Sequence, residues 1–136
     1  MSNLLKRART DIEIARTLMS PRGNPENDSL ITAQAAYHIQ QGIEKSLKYQ
    51  IEMSGKPYRK IHNLTGLIID AELTGIVISD ELKAMAYLIT DWEASSRYND
   101  DFEVSLTDME KAIRLYEELE TQILHHLETA LEKETK

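Results

Sequence analysis

Apolar residues recur every three or four positions along most of this chain, the spacing that lines one face of an α-helix. Five segments carry the pattern, at about 3–20, 29–54, 64–74, 80–95 and 107–131. The triplet at 76–78 is strand-like, but it has no partner strand in the sequence, and we interpret it as a buried connector. The sequence therefore predicts an all-α fold, an up-and-down four-helix bundle with a short additional helix, which makes five helices.

Local signals indicate where the predicted helices begin and end. Side chains suited to an N-cap precede four of the five patterns, where they can accept hydrogen bonds from first-turn amides. The predicted caps are Ser29, Asn63, Ser79 and Thr107, the last with Glu110 in capping-box spacing. The stretch at 20–29 holds two prolines and a glycine and is predicted as the main loop. The fourth helix is predicted to fray around the two serines at 95–96, with Arg97 and Tyr98 at its ragged end.

The composition indicates one helical domain over residues 1–136, because 41% of the residues are apolar and only 5 Gly and 3 Pro are present. No run reaches the roughly 18 apolar residues of a membrane span, and charges interrupt the N-terminal segment too early for a signal-peptide core. We therefore expect no membrane association and a cytoplasmic location. The absence of Cys excludes thiolate catalysis and Cys-ligated metal centres.

The charge of the chain is distributed unevenly. Its net charge is −7, yet residues 1–68 carry 10 basic and 6 acidic side chains, whereas residues 69–136 carry 6 and 17. This asymmetry allows one anion-attracting surface, although it is also what solvated helix faces would give, and the overall acidity disfavours tight, sequence-independent binding of nucleic acid. Phosphate-binding loops, dinucleotide fingerprints, zinc helices and paired Glu-x-x-His motifs are missing, so we predict neither a cofactor nor a metal site.

Polar side chains from three stretches could form an anion site. The candidate nucleotide- or anion-binding residues are Lys45, Lys48, Arg59, Lys60, His62 and Arg97, with Glu44 and Tyr98 in support. His62 adjoins a predicted helix N-terminus, where free amides favour phosphate, but it could instead seal the loop. Arg97 has the planar fork that holds phosphate bidentately, with an ion pair to Glu44 as the alternative. Glu44 and Lys48 could likewise form only a surface ion pair.

Gly42 stands in the middle of the second predicted helix, where glycine costs about 1 kcal/mol relative to alanine. A glycine at such a position is explained if another backbone comes close to the helix there. We therefore expect a crowded crossing at Gly42, with either a neighbouring helix or a second subunit.

Taken together, the motifs of this chain resemble the HEPN family of all-helical domains. The matching positions are Asp11, Ala15 and Leu18; then Gln41, Glu44, Lys45, Leu47 and Lys48; then His62, Asn63 and Leu64; and finally Trp92, Arg97 and Tyr98. They follow one another in order over nearly the whole chain. The resemblance implies a four- or five-helix bundle that is often a homodimer. Such a bundle is often encoded beside a minimal nucleotidyltransferase, as a prokaryotic toxin–antitoxin pair.

One branch of the HEPN family consists of metal-independent ribonucleases, which carry an Arg and a His separated by four to six residues. After Arg97, the corresponding positions hold Phe102, Glu103 and Val104, and no other arginine of this chain satisfies the spacing. The general acid or base that such a ribonuclease needs beside the scissile phosphate is therefore missing from its usual place. We accordingly assign no catalytic residue from the sequence.

Three functions are open at this point. The one we favour is a non-catalytic module that binds a nucleotide-like anion, RNA or a nucleotidyltransferase partner. The second is a ribonuclease in which His62 replaces the missing histidine from another helix. The third is a dimeric scaffold whose long last helix supplies the association surface. The ligand-binding hypotheses require Lys48, His62 and Arg97 to converge in the folded chain.

Overall fold

The computed structural model describes residues 2–20 and 29–134, and these form five α-helices and no strand. The helices are α1 (Leu4–Met19), α2 (Ser29–Met53), α3 (Leu64–Glu72), α4 (Asp80–Tyr98) and α5 (Leu106–Glu134). The predicted all-α fold of four main helices and a short additional one is confirmed. Within the predicted loop at 20–29, residues 21–28 lie outside the described residues. None of the described helices is both long and apolar enough to cross a membrane.

The second helix occupies the centre of the bundle, because α2 packs against each of the other four helices. Its apolar stripe of Ile39, Ile43 and Leu47 is completely buried. Large side chains from the surrounding helices complete the core: Ile12, Leu64, Leu67, Leu82, Ile89, Trp92, Met109, Leu115 and Ile123. Burying each such side chain contributes roughly 1.5–3 kcal/mol. The core therefore holds α2 from several sides and fixes the direction of the polar residues along it.

Two of the predicted helix caps are present. The Asn63 carboxamide oxygen accepts a hydrogen bond from the amide of Gly66 at 3.3 Å, and the Ser79 hydroxyl accepts one from the amide of Leu82 at 3.2 Å. These bonds satisfy amides that have no partner inside their own helix. Ser29 is the first residue of α2 rather than the cap before it.

The fourth helix ends close to the predicted place, and the fifth begins earlier than predicted. The hydroxyls of the serines at 95–96 hydrogen-bond to the preceding turn, and α4 continues past them to end at Tyr98. Thr107 is not a cap, since α5 has already begun there and the Ser105 hydroxyl accepts from the amide of Asp108 at 3.2 Å. The connector at 76–78 buries its first and third residues, as predicted, but exposes the second.

The first helix crosses the second at Gly42. A Cβ atom added to this glycine would lie 2.7 Å from Ile12 Cδ1 and 3.3 Å from the carbonyl oxygen of Ala8. Ile12 is itself in the core and has little room to move away. The crowded crossing predicted from the mid-helix glycine is therefore confirmed, and the neighbour is a helix of the same chain.

Replacing Gly42 by alanine is expected to lower the free energy of unfolding by up to about 2 kcal/mol. Overpacking costs about 1–3 kcal/mol, which exceeds the roughly 1 kcal/mol that alanine gains in helix propensity. Urea unfolding of the wild type, Gly42→Ala, Ile12→Ala and the double variant measures the effect. The double variant should lose less than the two single losses combined, because Ile12→Ala vacates the space that the new methyl group needs. Strict additivity would contradict the crowding.

Candidate functional site

The centre of the candidate site is the buried carboxylate of Glu44 on α2. Its Oε1 atom accepts hydrogen bonds from Gln40 Nε2 at 3.0 Å and from His62 Nδ1 at 2.7 Å, and its Oε2 accepts one from Lys48 Nζ at 3.0 Å. The side chains of Glu44 and Lys48 are only 5% and 11% exposed. The ion pair between Glu44 and Lys48 that was the alternative is therefore present, but it lies inside the protein and not at the surface, and an unpaired charge there would be costly.

Helical spacing and a short connector bring these groups together. Gln40, Glu44 and Lys48 are four residues apart and share one face of α2. His62 arrives from the connector, immediately before the Asn63 cap of α3. The Leu64 amide then donates to Thr90 Oγ1 at 2.9 Å, which fastens the start of α3 to α4. His62 is thereby held over the Glu44 carboxylate.

The contact with Glu44 determines the tautomer of His62. An ionised carboxylate only accepts hydrogen bonds, so Nδ1 of His62 must carry the proton that lies between the two groups. In the neutral ring Nε2 is then an acceptor only, whereas in the imidazolium both nitrogens carry a proton and Nε2 can donate to an anion. The His62 side chain is 58% exposed, so solvent and solutes can reach it.

Arg97 is held beside His62 by a second buried carboxylate. The guanidinium donates through Nη2 to Glu93 Oε1, and through Nε to the Glu93 carbonyl at 3.1 Å. Its central carbon also lies 5.5 Å from the centre of the Tyr37 ring and 4.9 Å from that of Tyr98. His62 Nε2 is 3.9 Å from Glu93 Oε1, the atom that accepts from Arg97. Glu93 Oε1 therefore bonds to Arg97 and lies within ion-pair distance of His62 Nε2, without a hydrogen bond to it.

The charges of the site are balanced, but the acidic groups are buried more deeply than Arg97. The cations Lys48 and Arg97 are matched by the anions Glu44 and Glu93, which are both buried. Arg97 is 40% exposed, and only two of its five N–H groups are directed at Glu93. A solute approaching from solvent thus meets N–H donors and the His62 ring, with the carboxylates beneath them. Such a surface suits an anionic hydrogen-bond acceptor.

Five of the eight candidate residues lie together, and the other three do not. Lys48, His62 and Arg97 converge as the hypothesis requires, with Glu44 beneath them and the exposed Tyr98 beside Arg97. The remaining three lie outside this convergence. They are Lys45, which bonds Asp11 on α1 at 2.6 Å; Arg59, which bonds Asp70 on α3 at 2.7 Å; and Lys60, which is exposed. The alternative ion pair between Arg97 and Glu44 is wrong, because Glu93 takes the arginine.

Sequence reasoning did not identify Glu93 and Asp11 as the buried acids that organise the polar side of α2, although Asp11 is one of the positions that match the family. Glu93 stands four residues before Arg97, the spacing of an ion pair along a helix. Asp11 lies on the buried face of α1 with Ala8 and Ile12, where a charge demands a partner. Both signals were present in the sequence, but neither of them specifies which other helix contributes the remaining contacts.

A separate groove of about 400 Å³ runs between α1 and α5. Ion pairs cross it, from Arg9 to Glu120 at 3.3 Å and from Arg16 to Glu117 at 2.5 Å. Burial and a hydrogen bond to Glu120 raise the pKa of the Tyr116 phenol. None of the candidate binding residues lines this groove. Among the described residues, no three His, Cys, Asp or Glu side chains are grouped to hold a metal ion.

The comparisons with known proteins give one match. A family model described as the HEPN domain matches residues 1–126 of the 136-residue chain. The searches of curated proteins and of solved structures yield no match. The family model spans α1 to α4 and most of α5, so it includes every residue of the cluster around Glu44 and Glu93.

Proposed function

Because the chain belongs to the HEPN family, we propose that it is a helical module that binds a phosphate group of a nucleotide or of RNA at His62 and Arg97. The observation that carries this proposal is that the two side chains come from different elements, lie within ion-pair distance of Glu93 and are both exposed. The homodimer and the nucleotidyltransferase partner that the resemblance implies stay predictions.

The chemistry of the two side chains suits a phosphate. A guanidinium offers N–H donors in a planar fork, and charge-assisted bonds to phosphate are stronger than neutral ones. His62 donates to a phosphate oxygen from Nε2 in its imidazolium form, while Nδ1 stays on Glu44. The stacking of Arg97 near the rings of Tyr37 and Tyr98 restricts its orientation before a ligand arrives. Glu44 binds His62 and Glu93 binds Arg97, so both side chains are already oriented before a ligand arrives. Less side-chain entropy is therefore lost on binding.

The local charge balance also sets the strength of binding. Lys48 is buried in an ion pair with Glu44. Its charge therefore stabilises the Glu44 carboxylate, and we do not expect Lys48 to contact the ligand. The whole chain carries a net charge of −7, and an anion therefore gains little from long-range attraction. We expect affinity to depend on direct contacts with His62 and Arg97, and to weaken as the salt concentration rises.

Calorimetric titration of the protein at low salt with ATP, GTP and a short RNA should therefore give heat for at least one of them. Replacement of Arg97 or His62 by glutamine should weaken that binding roughly tenfold, the loss expected for one charge-assisted contact. Arg114→Gln is a matched control, because Arg114 also pairs with a glutamate four residues away, Glu118. Absence of heat with every ligand, or equal weakening by the control, would contradict the proposal and favour the scaffold hypothesis.

A second candidate function is a ribonuclease in which His62 acts in place of the missing motif histidine. The observation that favours it is the 3.9 Å approach of His62 Nε2 to the carboxylate oxygen that also receives Arg97. A histidine and an arginine thus stand together although the positions after Arg97 lack the histidine.

The reaction would use the two side chains in different roles. With its proton held on Nδ1, His62 can accept the proton of a ribose 2′-hydroxyl at Nε2. The 2′-oxygen then bonds to phosphorus while the bond from phosphorus to the 5′-oxygen breaks. The products are a 2′,3′-cyclic phosphate and a 5′-hydroxyl, whose proton comes from water. Arg97 would stabilise the negative charge that builds up on the phosphate oxygens.

Incubation of the purified protein with RNA tests the ribonuclease. Cleavage by the wild type should fall at least about a hundredfold in His62→Ala and in Arg97→Ala, because each removes a group that acts on the reacting phosphate. The fragments should end in a cyclic phosphate. Equal cleavage by the wild type and both variants would identify a contaminating nuclease and reject this function, as would complete absence of cleavage.

A further inference from the structure

A second constellation on α2 repeats the chemistry of the first. The buried carboxylate of Asp11, on α1, contacts His38 Nδ1 at 2.8 Å through Oδ1 and accepts from Lys45 Nζ at 2.6 Å through Oδ2. The Glu44 carboxylate likewise contacts a histidine Nδ1 and a lysine Nζ. Each constellation thus consists of one buried carboxylate, one histidine and one lysine.

The second constellation also faces solvent in the same way. An ionised Asp11 accepts but does not donate, so Nδ1 of His38 carries the shared proton, and in the imidazolium form Nε2 carries a second proton that it can donate to an anion. No hydrogen bond to this Nε2 is present among the described residues. The side chains of His38 and Lys45 are 24% and 25% exposed, and Asp11 lies beneath them. The Lys45 ammonium donates one of its three N–H groups to Asp11, and the other two can donate to a ligand.

The two constellations are neighbours on one side of α2. His38, Lys45 and Lys48 follow each other at intervals of seven and three residues, which places them along one stripe of the helix. The Tyr37 ring connects the two groups: its centre is 5.4 Å from that of the His38 ring and 5.5 Å from the central carbon of Arg97. A ligand that covers Tyr37 would therefore reach donors on both sides of it.

We propose that His38 and Lys45 form a second phosphate-binding subsite, and that the ligand of this chain is a single-stranded oligonucleotide rather than a mononucleotide. One phosphate binds at His62 and Arg97 and another at His38 and Lys45, and the half-buried Tyr37, which contacts both Arg97 and His38, lies between them. The inference rests on the proposed function of the first site.

The test compares an oligonucleotide with a mononucleotide on the full chain. Fluorescence anisotropy measures binding of a labelled single-stranded RNA of about eight nucleotides, a length typical of single-strand sites. Calorimetry measures binding of AMP. His38→Gln and Lys45→Gln should each weaken RNA binding roughly three- to tenfold and leave AMP binding unchanged. Lys45→Gln should also make the slope of log affinity against log salt shallower by about 0.7, the value for one phosphate contact in a single strand.

Three controls make the result specific. Lys45→Arg retains the charge and should bind RNA as the wild type does. If Lys45→Gln fails to fold, His38→Gln still tests the second subsite. Lys83→Gln removes an exposed lysine that pairs with Glu72, and it should not affect binding. Urea unfolding reports the stability of each variant. A purely structural role of the Asp11 constellation would lower stability while leaving RNA affinity and its salt slope unchanged, and that result would overturn the inference.

The outcomes separate this inference from the proposed function. If His62 and Arg97 variants lose both ligands while His38 and Lys45 variants lose neither, the second subsite is wrong and the first site stands. If the wild type binds neither RNA nor AMP, both are wrong. Weaker RNA binding with unchanged AMP binding in the His38 and Lys45 variants supports the second subsite.

Discussion

Burial of the Glu44 carboxylate is the constraint on which the candidate site depends. An ionised group in the interior costs several kcal/mol unless hydrogen-bond donors replace the water that it has lost. The chain supplies those donors from Gln40, Lys48 and His62, two on the same helix and one on the connector before α3. The need to satisfy this carboxylate therefore fixes the orientation of an exposed histidine. Stability and site geometry have the same physical cause here.

The helical architecture could be predicted because it depends on apolar periodicity, which is local in the sequence. Gly42 also predicted its close crossing, since a costly glycine inside a helix needs a compensating contact. The errors occurred at helix ends, where small polar residues can cap a helix or bond within it. Ser105 caps α5 while Thr107 lies inside it, and both have suitable hydroxyls. Their local chemistry is too similar for the sequence to separate them.

The site could be predicted only in part, because partners come from helices that are distant in the sequence. The types of residue were informative, and Lys48, His62 and Arg97 do converge. The positive charge that they were expected to concentrate is instead compensated by buried acids, which a count of basic residues does not reveal. Lys45 illustrates the difficulty: it is only three residues from Lys48, yet it turns to Asp11 on α1. Helix packing decides between such directions.

The position of the proton on the His62 ring tests the central claim most directly. Long-range correlation of ring protons with ring nitrogens in the ¹⁵N-labelled protein distinguishes the two neutral tautomers, and a His62→Gln sample identifies the signals. Recorded at a pH where the ring is neutral, the spectrum should show the proton on Nδ1 and a free Nε2, as the 2.7 Å contact with Glu44 requires. A proton on Nε2 would mean that Glu44 does not hold the ring, and it would contradict the account.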